Sequence, residues 1–211
     1  MNSCNISLFK HFYSVQNCLK CQTLSPHEKF SHKWKGNIDA SAMILSEAPG
    51  RKSIDKQKMW AGSTGKRLRN ILSPLGYTLE EIFYMTDVIK CLPENNRDPF
   101  EEEIKNCQHF LKNEIEILKP KYILSFGRFA LDTLAKLYRA LTPIPDVTIT
   151  DLHTNDGYTE IQFENFKVLV LVHPSAAGRM PHKLTYDNYR KHLIQIFSLI
   201  ITIAVNENNI I

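Results

Sequence analysis

What this chain lacks narrows the reading at once. The apolar run at 193–205 is too short to cross a bilayer and is interrupted by Gln195 and Ser198, so a buried terminal helix is expected and no membrane partner. The first residues, MNSCNISLFKHFYSV, hold no apolar stretch of the length an export signal needs, and a cytoplasmic location follows as an expectation. Internal repeats and low-complexity tracts are absent. Cysteine is scarce and odd in number, five residues, which in a cytoplasmic protein argues against a disulfide framework and suits four ligands plus a bystander, Cys4. A large excess of either charge is missing too. With 26 Lys and Arg against 22 Asp and Glu, the net charge of +4 tolerates a polyanionic partner without demanding one.

What is present describes a globular chain. Its 211 residues, 43% hydrophobic and 23% charged, suffice for one domain, 1–211, with a real core. Short apolar runs at 42–46, 82–89 and 122–126 read as buried strands, and 160–163 with 167–172 as paired strands around Glu164-Asn165. Apolar residues at helical spacing predict helices over 65–75, 129–138 and 185–201. A longer one runs to about 118, with Asp98 as its cap and Pro99 in its first turn. The stretch 141–157, rich in turn residues, reads as an exposed loop. Strands alternating with helices predict an α/β fold with a mainly parallel sheet. Ligands in such sheets bind at the carboxyl ends of the strands, which singles out the loops 47–65, 87–99 and 173–179.

Four cysteines carry chemistry. Cys18 and Cys21 form a CxxC, Cys91 follows a strand, and Cys107 falls on the inward stripe of a helix. Four thiolates suit zinc, cysteine-only ligation equally marks an iron–sulfur cluster, and two unrelated pairs of buried thiols remain the plain alternative. Spacing does not separate these.

Several motifs in order resemble one family. SEAPG at 46–50 is similar to a GEAPG or GEGPG loop, AGSTG at 61–65 to a VGxAG segment, and TDVIKCLPENNRDP at 86–99 to TNxVKCRPPxNRxP, while HPSA at 173–176 matches unchanged. Together they resemble the family 4 uracil-DNA glycosylases. The resemblance implies a three-layer α/β/α sandwich with a mainly parallel four-stranded central sheet, and a [4Fe-4S] cluster on Cys18, Cys21, Cys91 and Cys107. It further implies a monomeric DNA glycosylase that flips a base out of double- or single-stranded DNA and hydrolyses its N-glycosidic bond. Trp60 would be the stacking platform, with Glu47 and Ala48 beside the base and residue 87 reading its edge. His173 would stabilise charge on the departing base. Ser175, Arg179, Lys66 and Arg97 would contact the DNA, within a wider set of basic residues on the same loops that includes Lys90.

Two departures from the pattern bear on substrate and mechanism. The reader position holds Asp87 instead of asparagine. An ionised aspartate only accepts hydrogen bonds, which opposes uracil O4 and suits the N4 amino donor of cytosine. A cytosine-type target, modified as in bacteriophage DNA, and a defence role are therefore expected. The alternatives are a uracil-DNA glycosylase of base-excision repair, whose protonated Asp87 imitates asparagine, and a catalytically inactive DNA-binding iron–sulfur protein. Secondly, the family's loop acid aligns with Ser53, and Asp55 is the nearest replacement for activating water, ahead of Glu47 and Asp87.

Overall fold

The structure, a computed structural model, describes residues 3–24, 35–152, 158–176 and 184–207. In chain order its elements are α1 (Ser3–Gln16), β1 (Ala42–Ser46), α2 (Arg51–Lys56), α3 (Ser63–Leu72), α4 (Leu79–Ile82), β2 (Phe83–Asp87) and α5 (Glu101–Leu118). There follow β3 (Tyr122–Phe126), α6 (Arg128–Leu137), α7 (Ile149–Leu152), β4 (Thr159–Gln162), β5 (Lys167–Leu171) and α8 (Tyr186–Asn206).

Among the described residues the sheet has five strands in the order β2-β1-β3-β5-β4. The four strands β2, β1, β3 and β5 are parallel, as expected. The expected count of four is corrected by β4, which returns antiparallel to β5 through a tight connection and leaves one edge less buried. Alternation of side chains along each strand then builds two cores. Ala42, Ile44, Phe83, Met85, Leu124 and Leu169 face α3 and α8 on one side. Met43, Leu45, Tyr84, Ile123, Val168 and Val170 face α1, α5 and α6 on the other. The result is the three-layer sandwich, with both faces of the parallel strands covered.

Helix boundaries show which local forces won. The long helix α5 starts at Glu101, not at the expected Asp98 cap, because Glu103 reaches back and accepts from the Phe100 N–H at 2.7 Å. The run at 193–205 lies within α8, which buries Tyr189, Leu193, Ile196, Phe197 and Ile200 and is capped by Thr185, whose hydroxyl accepts from Asn188 N at 3.2 Å. No helix among the described residues is long and apolar enough to cross a membrane. The loop at 141–157 contains α7, where Thr148 exchanges hydrogen bonds with Asp151, and its residues 153–157 lie outside the described ones. Helix α1, not anticipated, buries Leu8, Phe12 and Val15 and packs on α5.

Candidate active site

The carboxyl ends of β1, β2, β3 and β5 meet at one place, and described residues of the three suspected loops surround it. A cavity of about 170 Å³ there is lined by Ser46, Ala48, Ser53, Trp60, Asp87 and His173 among others. Ser46, Ala48 and His173 also wall an adjoining, larger cavity of about 430 Å³, which adds Glu47, Arg97, Phe126 and Ser175. The sequence-predicted residues Glu47, Ala48, Trp60, Asp87 and His173 are therefore brought together.

His173 follows β5 and is held in one tautomer. Its Nδ1 accepts from the Ser175 backbone N–H at 3.3 Å, and the Ser175 hydroxyl lies 2.7 Å from the same atom. A backbone N–H only donates, so the ring proton sits on Nε2. Burial pushes the imidazole pKa down to about 4, so the ring is neutral near pH 7 and Nε2–H is its single donor. Ser175, expected to touch DNA, orients this ring.

Trp60 is buried, stacks on His173 with ring centroids 5.4 Å apart at 28°, and meets Phe126 edge-on. Its backbone is left-handed, φ 56°, an unfavourable state for a bulky residue that its surroundings must hold. Arg69 does so. Its guanidinium donates to Trp60 O at 2.7 Å and Met59 O at 3.1 Å and pairs with Glu80 at 2.5 Å. Burial opposes the charge on Glu80, but Arg69 holds its pKa below the usual range. Gly65 completes the fit: a Cβ there would stand 1.6 Å from Trp60 O, so no other residue is accommodated.

Asp87, the last residue of β2, is registered against Ser46, the last of β1, and the Ser46 hydroxyl donates to Asp87 Oδ1. Burial raises the Asp87 pKa, while Ser46, Lys90 and Lys35 pull it back. Beneath it lies a buried polar network centred on Glu114, which is fully buried. Glu114 accepts from Lys35 Nζ at 2.6 Å, Lys90 Nζ at 2.7 Å, Thr86 Oγ1 at 2.7 Å and Tyr84 OH at 3.1 Å, with His11 Nε2 3.2 Å away. Lys90 also donates to the Asp87 carbonyl at 2.7 Å. Lys90 is thus buried, not a DNA-facing charge.

The acids and bases on the rim divide differently from the expectation. Asp55 is exposed and lines neither cavity. Ser53, two residues earlier on α2, faces the site, and two helical residues turn the chain about 200°. The Ser53 hydroxyl accepts from Ala61 N at 3.2 Å. The acid beside the site is Glu47, whose pKa is raised to about 7 by burial and by the nearby charges of Asp98 and Asp87. Arg97 lines the larger cavity, but both its terminal nitrogens are engaged by Glu103, at 2.9 and 2.6 Å, and it lies over Phe100. Its charge is neutralised in a structural pair. Burial works against the charge on Glu103, yet Arg97, Thr23 and the Phe100 N–H hold it at a pKa of about 2. Lys66 is exposed on α3, and Arg179 lies outside the described residues.

Cys18, Cys21, Cys91 and Cys107 line one further cavity of about 220 Å³, bounded also by Leu19 and Phe110. The thiols are unbridged, and burial raises Cys107 to a pKa of about 11. No three His, Cys, Asp or Glu side chains among the described residues draw close enough together for a single metal ion. Three site residues had not been singled out from sequence: Ser46, Arg69 and Glu114. Only Ser46 left a signal, as the residue in SEAPG that departs from GEAPG.

An aromatic wall, a fixed neutral imidazole and a buried carboxyl, at the strand ends of a parallel α/β/α sandwich, are the parts of an enzyme that handles one flat polar ring. Comparison with known sequences agrees. Residues 34–197 match the uracil DNA glycosylase superfamily. The chain is 31% identical over 174 residues to the type-4 uracil-DNA glycosylase of Archaeoglobus fulgidus, covering 79% of this chain and 81% of that one. Against the type-4 uracil-DNA glycosylase of Saccharolobus solfataricus it is 32% identical over 182 residues, covering 84% and 81%. The corresponding protein of Pyrobaculum aerophilum is 35% identical over 123 residues, covering 58% and 62%. The chain belongs to the uracil-DNA glycosylase superfamily, in its type-4 branch, and is a DNA glycosylase that hydrolyses N-glycosyl bonds.

Proposed function

We propose that this glycosylase excises a cytosine-type base from DNA. The observation that carries the reading is Asp87, a buried carboxylate on the cavity wall whose Oδ1 is taken by Ser46 and whose Oδ2 has no protein donor among the described residues. Such an oxygen accepts the N4 amino hydrogen of cytosine and repels uracil O4, a mismatch of about 1–3 kcal/mol. Removing ordinary cytosine would destroy the host genome, so the target is a cytosine marked at C5, as in hydroxymethylated or glucosylated bacteriophage DNA, and the role is defence. Small residues leave room for such a group. Ala48 and Gly62 line the cavity, and a Cβ added at Gly62 would meet nothing within 4 Å.

The chemistry follows from the same side chains. The flipped base lies against Trp60, and unstacking it from the helix costs roughly a few kcal/mol. As the C1′–N1 bond breaks, its electron pair leaves with the base and charge gathers on O2. The neutral His173 Nε2–H donates to that oxygen. Water adds to C1′ and gives its proton to Glu47, the half-buried acid with a pKa of about 7. Glu47→Gln is expected to lower excision at pH 8 about 100-fold. The wild-type rate should fall as pH drops through about 7, where Glu47 gains its proton, and the variant should lack this limb. A pH profile of single-turnover rates reads both.

The four cysteines suit a [4Fe-4S] cluster. They surround a volume rather than one point, and none is in a disulfide. Held there, the cluster would supply a covalent staple between the end of α1, the loop after β2 and the inner face of α5, with all four ligands from protein.

The direct test offers the protein duplexes carrying uracil, cytosine, 5-hydroxymethylcytosine or its glucosylated form and scores abasic sites. Excision of a substituted cytosine in preference to uracil is expected. Efficient uracil excision with no cut at any cytosine would overturn the substrate reading. The burial that raises Asp87 supports one rival, a protonated Asp87 donating to uracil O4, and that outcome would reveal it.

A further inference from the structure

We propose that Ser46 is a specificity-determining residue, which by holding Asp87 Oδ1 leaves the base a single, fixed acceptor oxygen and so selects an exocyclic amino group over a carbonyl. This rests on the cytosine-type reading of Asp87.

The geometry makes the pair rigid. Ser46 and Asp87 are registered neighbours on parallel strands, so their side chains emerge on the same face of the sheet. The ladder continues past them, Val88 N donating to Ser46 O at 2.8 Å and Ile89 N to Glu47 O at 3.1 Å, which fixes both backbones. The two residues are only 5% and 4% exposed. A hydroxyl in that position needs an acceptor, and among the described residues the one it has is Asp87 Oδ1.

The consequence for recognition comes from counting hydrogens. Uracil presents an acceptor, O4, beside a donor, N3–H, and a reader that serves both must give one hydrogen and take one. Cytosine presents a donor, N4–H, beside the acceptor N3. A carboxyl with both oxygens unengaged can rotate and can carry a proton on either, so it can imitate an amide. With one oxygen bonded to Ser46 it keeps its orientation, and the charged form is favoured by the added donor. Glycine at this position, as in the motif the loop resembles, supplies no such hydrogen. The two departures, serine at 46 and aspartate at 87, therefore work as one unit.

The experiment measures single-turnover excision of uracil and of 5-hydroxymethylcytosine by the wild type, Ser46→Ala and Ser46→Thr. Thermal unfolding shows that each variant is folded. Losing a hydrogen bond to a charged group should lower the ratio of substituted-cytosine to uracil excision about tenfold or more in Ser46→Ala. Ser46→Thr retains the hydroxyl and should restore the ratio to within a few fold. If a folded Ser46→Ala keeps the wild-type ratio, or a folded Ser46→Thr loses it equally, the role of Ser46 is overturned while the reading of Asp87 stands. If the wild type itself excises uracil and no cytosine, both fall.

Discussion

His173→Ala is expected to lower the single-turnover rate of base excision about 100- to 1,000-fold while leaving the thermal midpoint close to that of the wild type. The donor lost is preorganised: Ser175 fixes the tautomer, Trp60 covers the ring, and burial keeps it neutral with a pKa near 4. Neutrality matters to the sign of the effect. A charged imidazole would bind the anionic product tightly, whereas a neutral N–H strengthens its bond only as negative charge develops on the base. His173 therefore contributes nothing to the pH profile above about pH 5, and the limb near pH 7 belongs to Glu47. Single-turnover kinetics under excess enzyme, with binding measured separately on an uncleavable duplex, separates the loss in chemistry from any loss in affinity.

Glu114→Ala is expected to destabilise the fold by about 3–5 kcal/mol, because it strands two buried ammonium groups. Lys35 and Lys90 both end on this carboxylate, at 2.6 and 2.7 Å, with side chains almost without solvent contact. Burial alone would hold a glutamic acid protonated. The facing charges of Lys35 and Lys90, with the hydrogen bond from His11, reverse this and keep its pKa well below the usual range. Its removal also leaves Thr86 Oγ1 and Tyr84 OH without their acceptor. Typical domains have only about 5–15 kcal/mol of stability, so the variant should unfold at far lower urea concentration or accumulate poorly. Urea titration followed by circular dichroism checks it. Glu114→Gln, which keeps the shape and loses the charge, should fall between the two.

How much of this was legible in the sequence depends on whether a residue's role is local. The strands at 42–46 and 122–126 were readable to the residue, since short apolar runs between turn residues leave little choice. Trp60, Asp87 and His173 were legible through motifs that stand at strand ends or the loops after them. Helix α1 was not, because exposed Phe9 and Tyr13 interrupt the stripe of Leu8, Phe12 and Val15. Asp55 points away from the cavities because proximity in sequence to Ser53 becomes opposition on a helix. Lys90 and Arg97 read as DNA contacts, yet their acids, Glu114 and Glu103, lie 24 and 6 residues away and only the fold pairs them. Arg69 supports Trp60 through backbone carbonyls, which no sequence pattern announces.

Substrate choice turns on what Asp87 accepts, and exchanging that one residue tests it. Asp87→Asn restores an amide that can donate to O4 and accept from N3–H. Excision of uracil and of 5-hydroxymethylcytosine is measured for wild type and variant at one pH near neutrality. An inversion is expected, with the variant gaining uracil excision and losing about tenfold or more on the substituted cytosine. An unchanged preference in a folded Asp87→Asn protein would contradict it.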